Sequence, residues 1–292
     1  PTDVQDNTIL VEKDTAKRFW FAENKISTTG LKAYYNFDSI GGGTTLTNQS
    51  TTGDGLGSSA DGVNTSVTLD TTNEKLGTGC YDFNGSSSYV TVGSTSDWNF
   101  VHDGSGATFS AWVYRNGSQT GNGGIFVTEG GQSTTTGFGV GIRSGGNAYA
   151  RSINTSNQWQ VCEDASSSVS TGVWHHILAT IDSTSIKLYV DGTLNSSHTI
   201  SGTLKSGNSS YRAVGRAYSG SAWSYLNSKL DDMSIWSRVL TTSEISALYN
   251  SGSGSIVSEA KDATWTVAPK TPAGIGDLKV HYDATVGVTA SS

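Results

Sequence analysis

"WHHILATIDSTSIKLYVDG", Trp174 to Gly192, is the stretch whose reading decides the fold. It holds two adjacent histidines and two aspartates, so it reads either as a metal or relay site or as a plain β-hairpin. Ile177, Ala179 and Ile181 alternate with Leu178, Thr180 and Asp182. After "DSTS", Ile186, Leu188 and Val190 alternate with Lys187, Tyr189 and Asp191. Period two in both runs predicts two strands, each with one buried face, and Asp191-Gly192 begins the next turn. Neighbouring strand residues point to opposite faces, so His175 and His176 are badly placed to grip one metal together. The hairpin reading prevails.

Similar runs extend outward in both directions. "ATFSAWVYR" (107–115) sets Phe109, Ala111 and Val113 on one face and Trp112 and Tyr114 on the other. "SSYVTVG", "GIFVTEG", "FGVGIRS", "AYARSIN" and "KLDDMSIWSRV" continue the pattern. Turn signals recur every ~8–12 residues, as in a sandwich or barrel. One helix is predicted in "LTTSEISALYNSG". Thr241 and Glu244 form a capping box, Ile245, Leu248 and Tyr249 an apolar stripe, and Gly252 the left-handed cap. "SGSGS" (251–255) reads as a flexible break.

Composition supports a β-rich chain. Of 292 residues 36 are glycine, 3 are proline and 15% are charged, which suits many turns and few helices. The 8 Trp and 12 Tyr argue against disorder. The net charge is −7 with no Lys/Arg cluster, which argues against a nucleic-acid partner. No run of about 18 apolar residues is present, so no membrane insertion is expected. "PTDVQDNTILVEKD" lacks the basic and apolar regions of a secretory leader. Cys80 and Cys162 allow one disulfide, with buried free thiols the preferred reading.

The order "LKAYYNFD", "LGTGCYDFNGSSSYVTV", "FSAWVY", "GVWHHILATIDSTSIKLYVDG", "KLDDMSIWSRVLTTSEISALYNSG" resembles the laminin-G-like, concanavalin A-like jelly-roll family over roughly residues 30–252. The resemblance implies an all-β fold: a two-sheet antiparallel jelly-roll sandwich with one short C-terminal helix. Flanking it are an N-terminal attachment segment (1–28) and a C-terminal extension (254–292), with the jelly roll at 29–253. "NTILVEKDTAKRFWF" (7–21) is similar to a segment that opens bacteriophage structural proteins carrying such domains, which implies a place on a virion. Phe19, Trp20 and Phe21 there cannot all face inward on one strand, so they are assigned to attachment on other virion proteins or on a second copy.

Glucanases of the resembled family carry Glu-x-Asp-x-Glu or Glu-x-Asp-x-x-Glu on one strand. A retaining hydrolase needs two carboxyls about 5–5.5 Å apart. Here no two glutamates lie within ten residues of each other, so a non-enzymatic protein is expected. The resemblance also implies a structural Ca²⁺ near the sandwich rim. The matching positions are Asp38, Asn84 and Asp231, whose hard oxygens suit that ion. Tyr218, Trp223 and Tyr225 in "YSGSAWSYLN", together with Trp159 in "NQWQ", are candidates for stacking on sugar rings, against the alternative of core packing. The resulting expectation is a virion surface protein, as capsid decoration, fibre or tail subunit, that binds surface glycans. The alternatives are a secreted carbohydrate-binding module of a bacterial polysaccharide-degrading system and a divergent glycosidase.

Overall fold

A computed structural model describes residues 26–51, 53–118, 121–128, 137–206, 211–219 and 222–257. It also describes the backbone of four terminal strands. Those are β1 (Ile9–Glu12), β2 (Phe19–Ala22), β21 (Lys279–Asp283) and β22 (Gly287–Ser291). The chain divides into two compact units, residues 1–257 and 258–292. Within the second, β21 and β22 pair antiparallel.

Between these ends lie eighteen named strands. They are β3 (Leu31–Tyr35), β4 (Thr45–Leu46), β5 (Gly62–Thr65), β6 (Thr68–Asp70), β7 (Cys80–Asn84) and β8 (Tyr89–Val92). Next come β9 (Ala107–Arg115), β10 (Gly123–Val127), β11 (Phe138–Ile142), β12 (Ala148–Ile153), β13 (Trp159–Glu163) and β14 (Trp174–Ile181). The last are β15 (Ser185–Val190), β16 (Thr193–Thr199), β17 (Ala213–Val214), β18 (Arg216–Ser219), β19 (Ala222–Tyr225) and β20 (Asn227–Trp236). Helix α1 (Thr242–Tyr249) follows.

Two sheets stack face to face. One runs β13-β12-β11-β10-β17-β8-β5-β4; the other runs β16-β15-β14-β9-β20-β7-β6, with β3 also pairing to β20. Every pairing between named strands is antiparallel, as a jelly-roll sandwich requires. Long sequence separations between neighbours, such as β9 beside β20, close the roll.

The opening stretch forms β14 and β15, with Ile177 opposite Val190 and Ile181 opposite Ile186. Ile177, Ala179, Ile181, Ile186, Leu188 and Val190 enter the core between the sheets, as do Phe109, Ala111 and Val113. The expectation of one buried face per strand was too narrow. Leu178 and Tyr189, on the other face, pack with Trp236, Leu240, Ile245 and Leu248. Helix α1 covers that outer surface, so Leu178 and Tyr189 are buried there, while Lys187 on β15 stays exposed. Asp191 (φ 51°) and Gly192 (φ 72°) make the two-residue turn into β16. Two successive positive φ values are what a type I′ hairpin needs.

The capping box is present: Thr241 Oγ1 accepts from Glu244 N at 3.3 Å, and Glu244 Oε2 accepts from Thr241 N at 2.8 Å. The left-handed cap is Asn250 (φ 47°) instead of Gly252. Nor is "SGSGS" a flexible break. Gly252 O accepts from Lys75 Nζ, Gly254 is buried, and Val257 joins the core beneath the helix. Serine and glycine set the stiffness of a free linker, but here tertiary contacts hold the chain. Cys80 and Cys162 are both buried and free. Among the described residues no helix is long and apolar enough to cross a membrane.

Candidate functional site

The two sheets differ on their outer faces. One is covered by α1. The other, on the β13–β8 side, carries aromatic and arginine side chains over a floor of glycine. Alternation puts Phe138, Val140 and Ile142 of β11 in the core and leaves Gly139 and Gly141 outward. Opposite them on β12 stand Arg151 and Tyr149. A side chain on Gly141 would collide with the Tyr149 ring, and one on Gly124 would collide with the backbone of Arg216. Glycine at these positions lets the next layer settle directly on the sheet.

That layer is the hairpin β18–β19. Arg216 pairs with Tyr225 and Tyr218 with Trp223, so these four side chains share one face. The opposite face, Ala217, is buried with Val127 of β10 and Ala213. Tyr218 and Trp223 meet edge to face at 5.2 Å, and Tyr211 meets Trp223 at 5.1 Å. The Arg216 guanidinium lies between two rings, 3.5 Å from the centre of Tyr89 and 4.3 Å from that of Trp223. Tyr89 is 6.4 Å from Tyr225.

Trp159, 42% exposed, stands on the edge strand β13. Arg151 joins it to the hairpin: its guanidinium sits 4.8 Å from the Trp159 ring, and Nη2 donates to Tyr218 O at 3.2 Å. Arg143 lies 4.5 Å from the Tyr149 ring and forms an ion pair with Glu163 at 2.9 Å. All four predicted sugar-stacking residues therefore meet on one surface. Tyr89, Tyr211, Arg151 and Arg216 belong to it as well and were missed. The signal for Arg216 was available, because "RAYSGSAWSY" places basic and aromatic residues at period two on either side of a turn.

The predicted metal set is not gathered. Asp231 Oδ2 accepts from Lys75 N at 2.8 Å and Leu76 N at 2.9 Å, and Oδ1 accepts from Asp232 N at 2.8 Å. Asp38 Oδ1 accepts from Thr78 N and Gly79 N, and Oδ2 from Asn36 Nδ2. Asn84 Oδ1 accepts from the N–H groups of Ser86, Ser87 and Ser88. Asn84 also pairs with Asn227, four residues along β20 from Asp231, or about 13 Å at the rise of a strand. Oxygens aimed at N–H donors do not fit a cation, and among the described residues no group of three His, Cys, Asp or Glu side chains is placed to hold one.

The histidines also separate. His176 is buried and meets Ser110 Oγ at 2.8 Å, while burial lowers its pKa to about 4. His175 Nδ1 meets Asp191 Oδ2 at 2.8 Å, and its Nε2 meets Ser170 Oγ at 2.8 Å. This has the connectivity of a relay. Yet Ser170 N also donates to the same Nε2, and Gly172 N is committed to Arg115 O. The group ties the 166–172 loop to the hairpin. Asp231 and Asp232 are buried side by side. Burial is the largest cause that raises both, to about 8 and about 7; the charge of Asp232 adds to the first and that of Asp38 to the second.

Phe19 and Phe21 fall on β2, paired with Glu12 and Leu10 of β1, and Trp20 pairs with Val11. Their side chains lie outside the described residues.

A family model described as the concanavalin A-like lectin/glucanases superfamily matches residues 84–246. No curated protein matches the chain in sequence. Among solved structures, the receptor-binding domain of botulinum neurotoxin C/D mosaic serotype is similar at 15% identity and a TM-score of 0.57, covering 77% of this chain and 52% of that one. The binding domain of botulinum neurotoxin DC in complex with SialylT gives 15% and 0.55, covering 76% and 51%. The same domain with rat synaptotagmin II gives 15% and 0.56, covering 77% and 52%. The chain thus spans about half the length of these binding domains, and at such identity the likeness is one of fold.

Proposed function

This chain belongs to the concanavalin A-like lectin/glucanases superfamily, and from that premise we propose that it is a non-enzymatic, glycan-binding protein of a virion surface. The observation that carries the glycan reading is the outer face holding Trp159, Tyr218, Trp223 and Tyr225 together with arginines. Aromatic rings offer flat apolar area to the C–H faces of sugars at little entropic cost, and the arginines supply donors for hydroxyls. Similar toxin domains form complexes with SialylT and with rat synaptotagmin II, which supports a recognition role for the fold. Glu163, a carboxylate on this face, is held by Arg143, and no second glutamate lies within ten residues of it in the sequence. That supports binding over glycoside hydrolysis. The virion placement is supported by the opening segment's resemblance to phage structural proteins, with the hairpin of β1 and β2 as the attachment element to other virion proteins or to a second copy.

A glycan array probed with the whole chain tests the binding reading. Retention of specific oligosaccharides is expected, and an array without a reproducible hit contradicts it. Labelled antibody on purified particles tests the placement; label confined to the particle-free fraction contradicts it.

A further inference from the structure

Arg216 is the cation on this face with an open account. Arg143 meets Glu163, Arg238 meets Glu244, and Lys229 meets Asp70 and Asp82. Arg115 is bound by the carbonyls of Val169 and Ser144. Arg216 has none of this. Arg216 is half-buried, and its guanidinium lies over the rings of both Tyr89 and Trp223. Its Nε–H is buried and meets no acceptor among the described residues. No ion pair or hydrogen bond within the described structure engages the guanidinium. A partly desolvated charge loses hydration that a partner normally replaces. Two rings recover part of that loss through cation–π attraction but leave the in-plane N–H donors unused. The in-plane fork of a guanidinium fits the paired oxygens of a carboxylate or sulfate.

The stacking surfaces extend well beyond Arg216. The β18–β19 hairpin lies over β10, while Trp159 stands on β13, three strands away. At 4.7–4.9 Å per strand the separation is on the order of 14 Å. Arg151 bridges the gap, touching the Trp159 ring and the backbone of Tyr218. A single sugar ring cannot cover both platforms.

We propose that the ligand is an acidic oligosaccharide that lies across the strands from Trp159 to Trp223, with a carboxylate or sulfate on the Arg216 guanidinium. This deepens the glycan reading above and rests on it. The protein's net charge of −7 does not favour such a ligand at long range. Recognition is therefore local, built on one oriented cation between two rings, and it weakens only modestly with salt.

Isothermal titration of the whole chain with three matched probes tests this. They are a tetrasaccharide carrying carboxylates, the same tetrasaccharide with its carboxyls reduced to hydroxymethyl groups, and a sulfated counterpart. At least one acidic probe is expected to bind roughly tenfold or more tighter than the reduced one, and which of the two does so identifies the anion. Arg216→Gln should erase that preference, so that the acidic and reduced probes bind this variant alike, and Trp159→Ala should weaken all binding probes. Arg216→Lys keeps the charge but not the flat fork, so it should keep part of the preference, and it replaces Arg216→Gln if that variant fails to melt cooperatively. Equal binding of all three probes, or a preference that Arg216→Gln leaves intact or Arg216→Lys leaves undiminished, overturns the acidic-ligand inference and leaves the glycan reading standing. Failure of every probe, together with a blank glycan array, removes both.

Discussion

Asp38 and Asp231, almost two hundred residues apart in the chain, hold the same loop: Asp231 accepts from the N–H groups of Lys75 and Leu76, and Asp38 from those of Thr78 and Gly79. The end of β3 and the middle of β20 are thereby joined through the β6–β7 connection. A shared cation was expected to make this link; backbone N–H groups make it.

Replacing Asp231 by Ala strands three backbone donors around a fully buried position. The expected loss of stability is about 1–3 kcal/mol, read by chemical denaturation. The melting temperature of the native chain should stay the same in calcium and in chelator. A calcium-dependent rise that Asp231→Ala abolishes would show that the carboxylate binds metal after all.

Much of this architecture is legible in the sequence, for identifiable reasons. The alternation of Ile177, Ala179 and Ile181 against Ile186, Leu188 and Val190 fixes one hairpin and its core face. The pair Thr241 and Glu244 fixes where α1 starts. The fate of Asp38, Asn84 and Asp231 is not legible, because the same oxygen accepts from an N–H or ligates a cation, and only the surrounding loops decide which. The aromatic face was half legible. Tyr218, Trp223 and Tyr225 stand in one polar segment, whereas Tyr89, Arg151 and Trp159 come from three separate strands that only the fold brings together. The burial of Leu178 depends on where α1 lands, which strand periodicity does not encode.

Stability should decline as pH rises above neutrality. Asp231 and Asp232 have folded pKa values raised to about 8 and about 7. Their contribution is present in full below the unfolded value near 4 and is lost as pH rises to about 8. His102 and His176 act oppositely. Burial lowers both to about 4, so their contribution grows as pH rises from about 4 to 6.5. The two effects oppose each other up to about pH 6.5, and above it the two carboxylates continue to titrate. The melting temperature should therefore fall between pH 6.5 and 8. Asp232→Asn keeps an acceptor for Tyr34 Oη and should flatten that decline; an unchanged slope would count against the pair.

The hairpin's two kinds of residue should separate in stability. Leu188 is fully buried, so Leu188→Ala should cost about 2–5 kcal/mol in denaturant unfolding. His175→Ala removes the bonds to Asp191 and Ser170 at the rim and should cost about 1 kcal/mol. Equal losses would contradict the placement of Leu188 in the central core.

The three described core clusters lie within residues 26–257. A chain trimmed to those residues should be soluble and melt cooperatively, yet fail to join particles or oligomers. Aggregation of the trimmed chain that restoring residues 1–25 alone reverses would show that those residues belong to the body of the sandwich and are no attachment element.

The central claim is that the aromatic face opposite the helix-covered sheet binds glycan. Its most direct test is the affinity of Trp223→Ala and of Trp159→Ala for the strongest oligosaccharide found on the array, measured beside the melting temperature of each variant. Losing a stacking platform should lower affinity roughly tenfold or more in each variant, while Trp159→Ala, made at a 42% exposed position, keeps its melting temperature within a few degrees. Unchanged affinity in both variants, with both folded, would place the binding surface elsewhere and contradict the account.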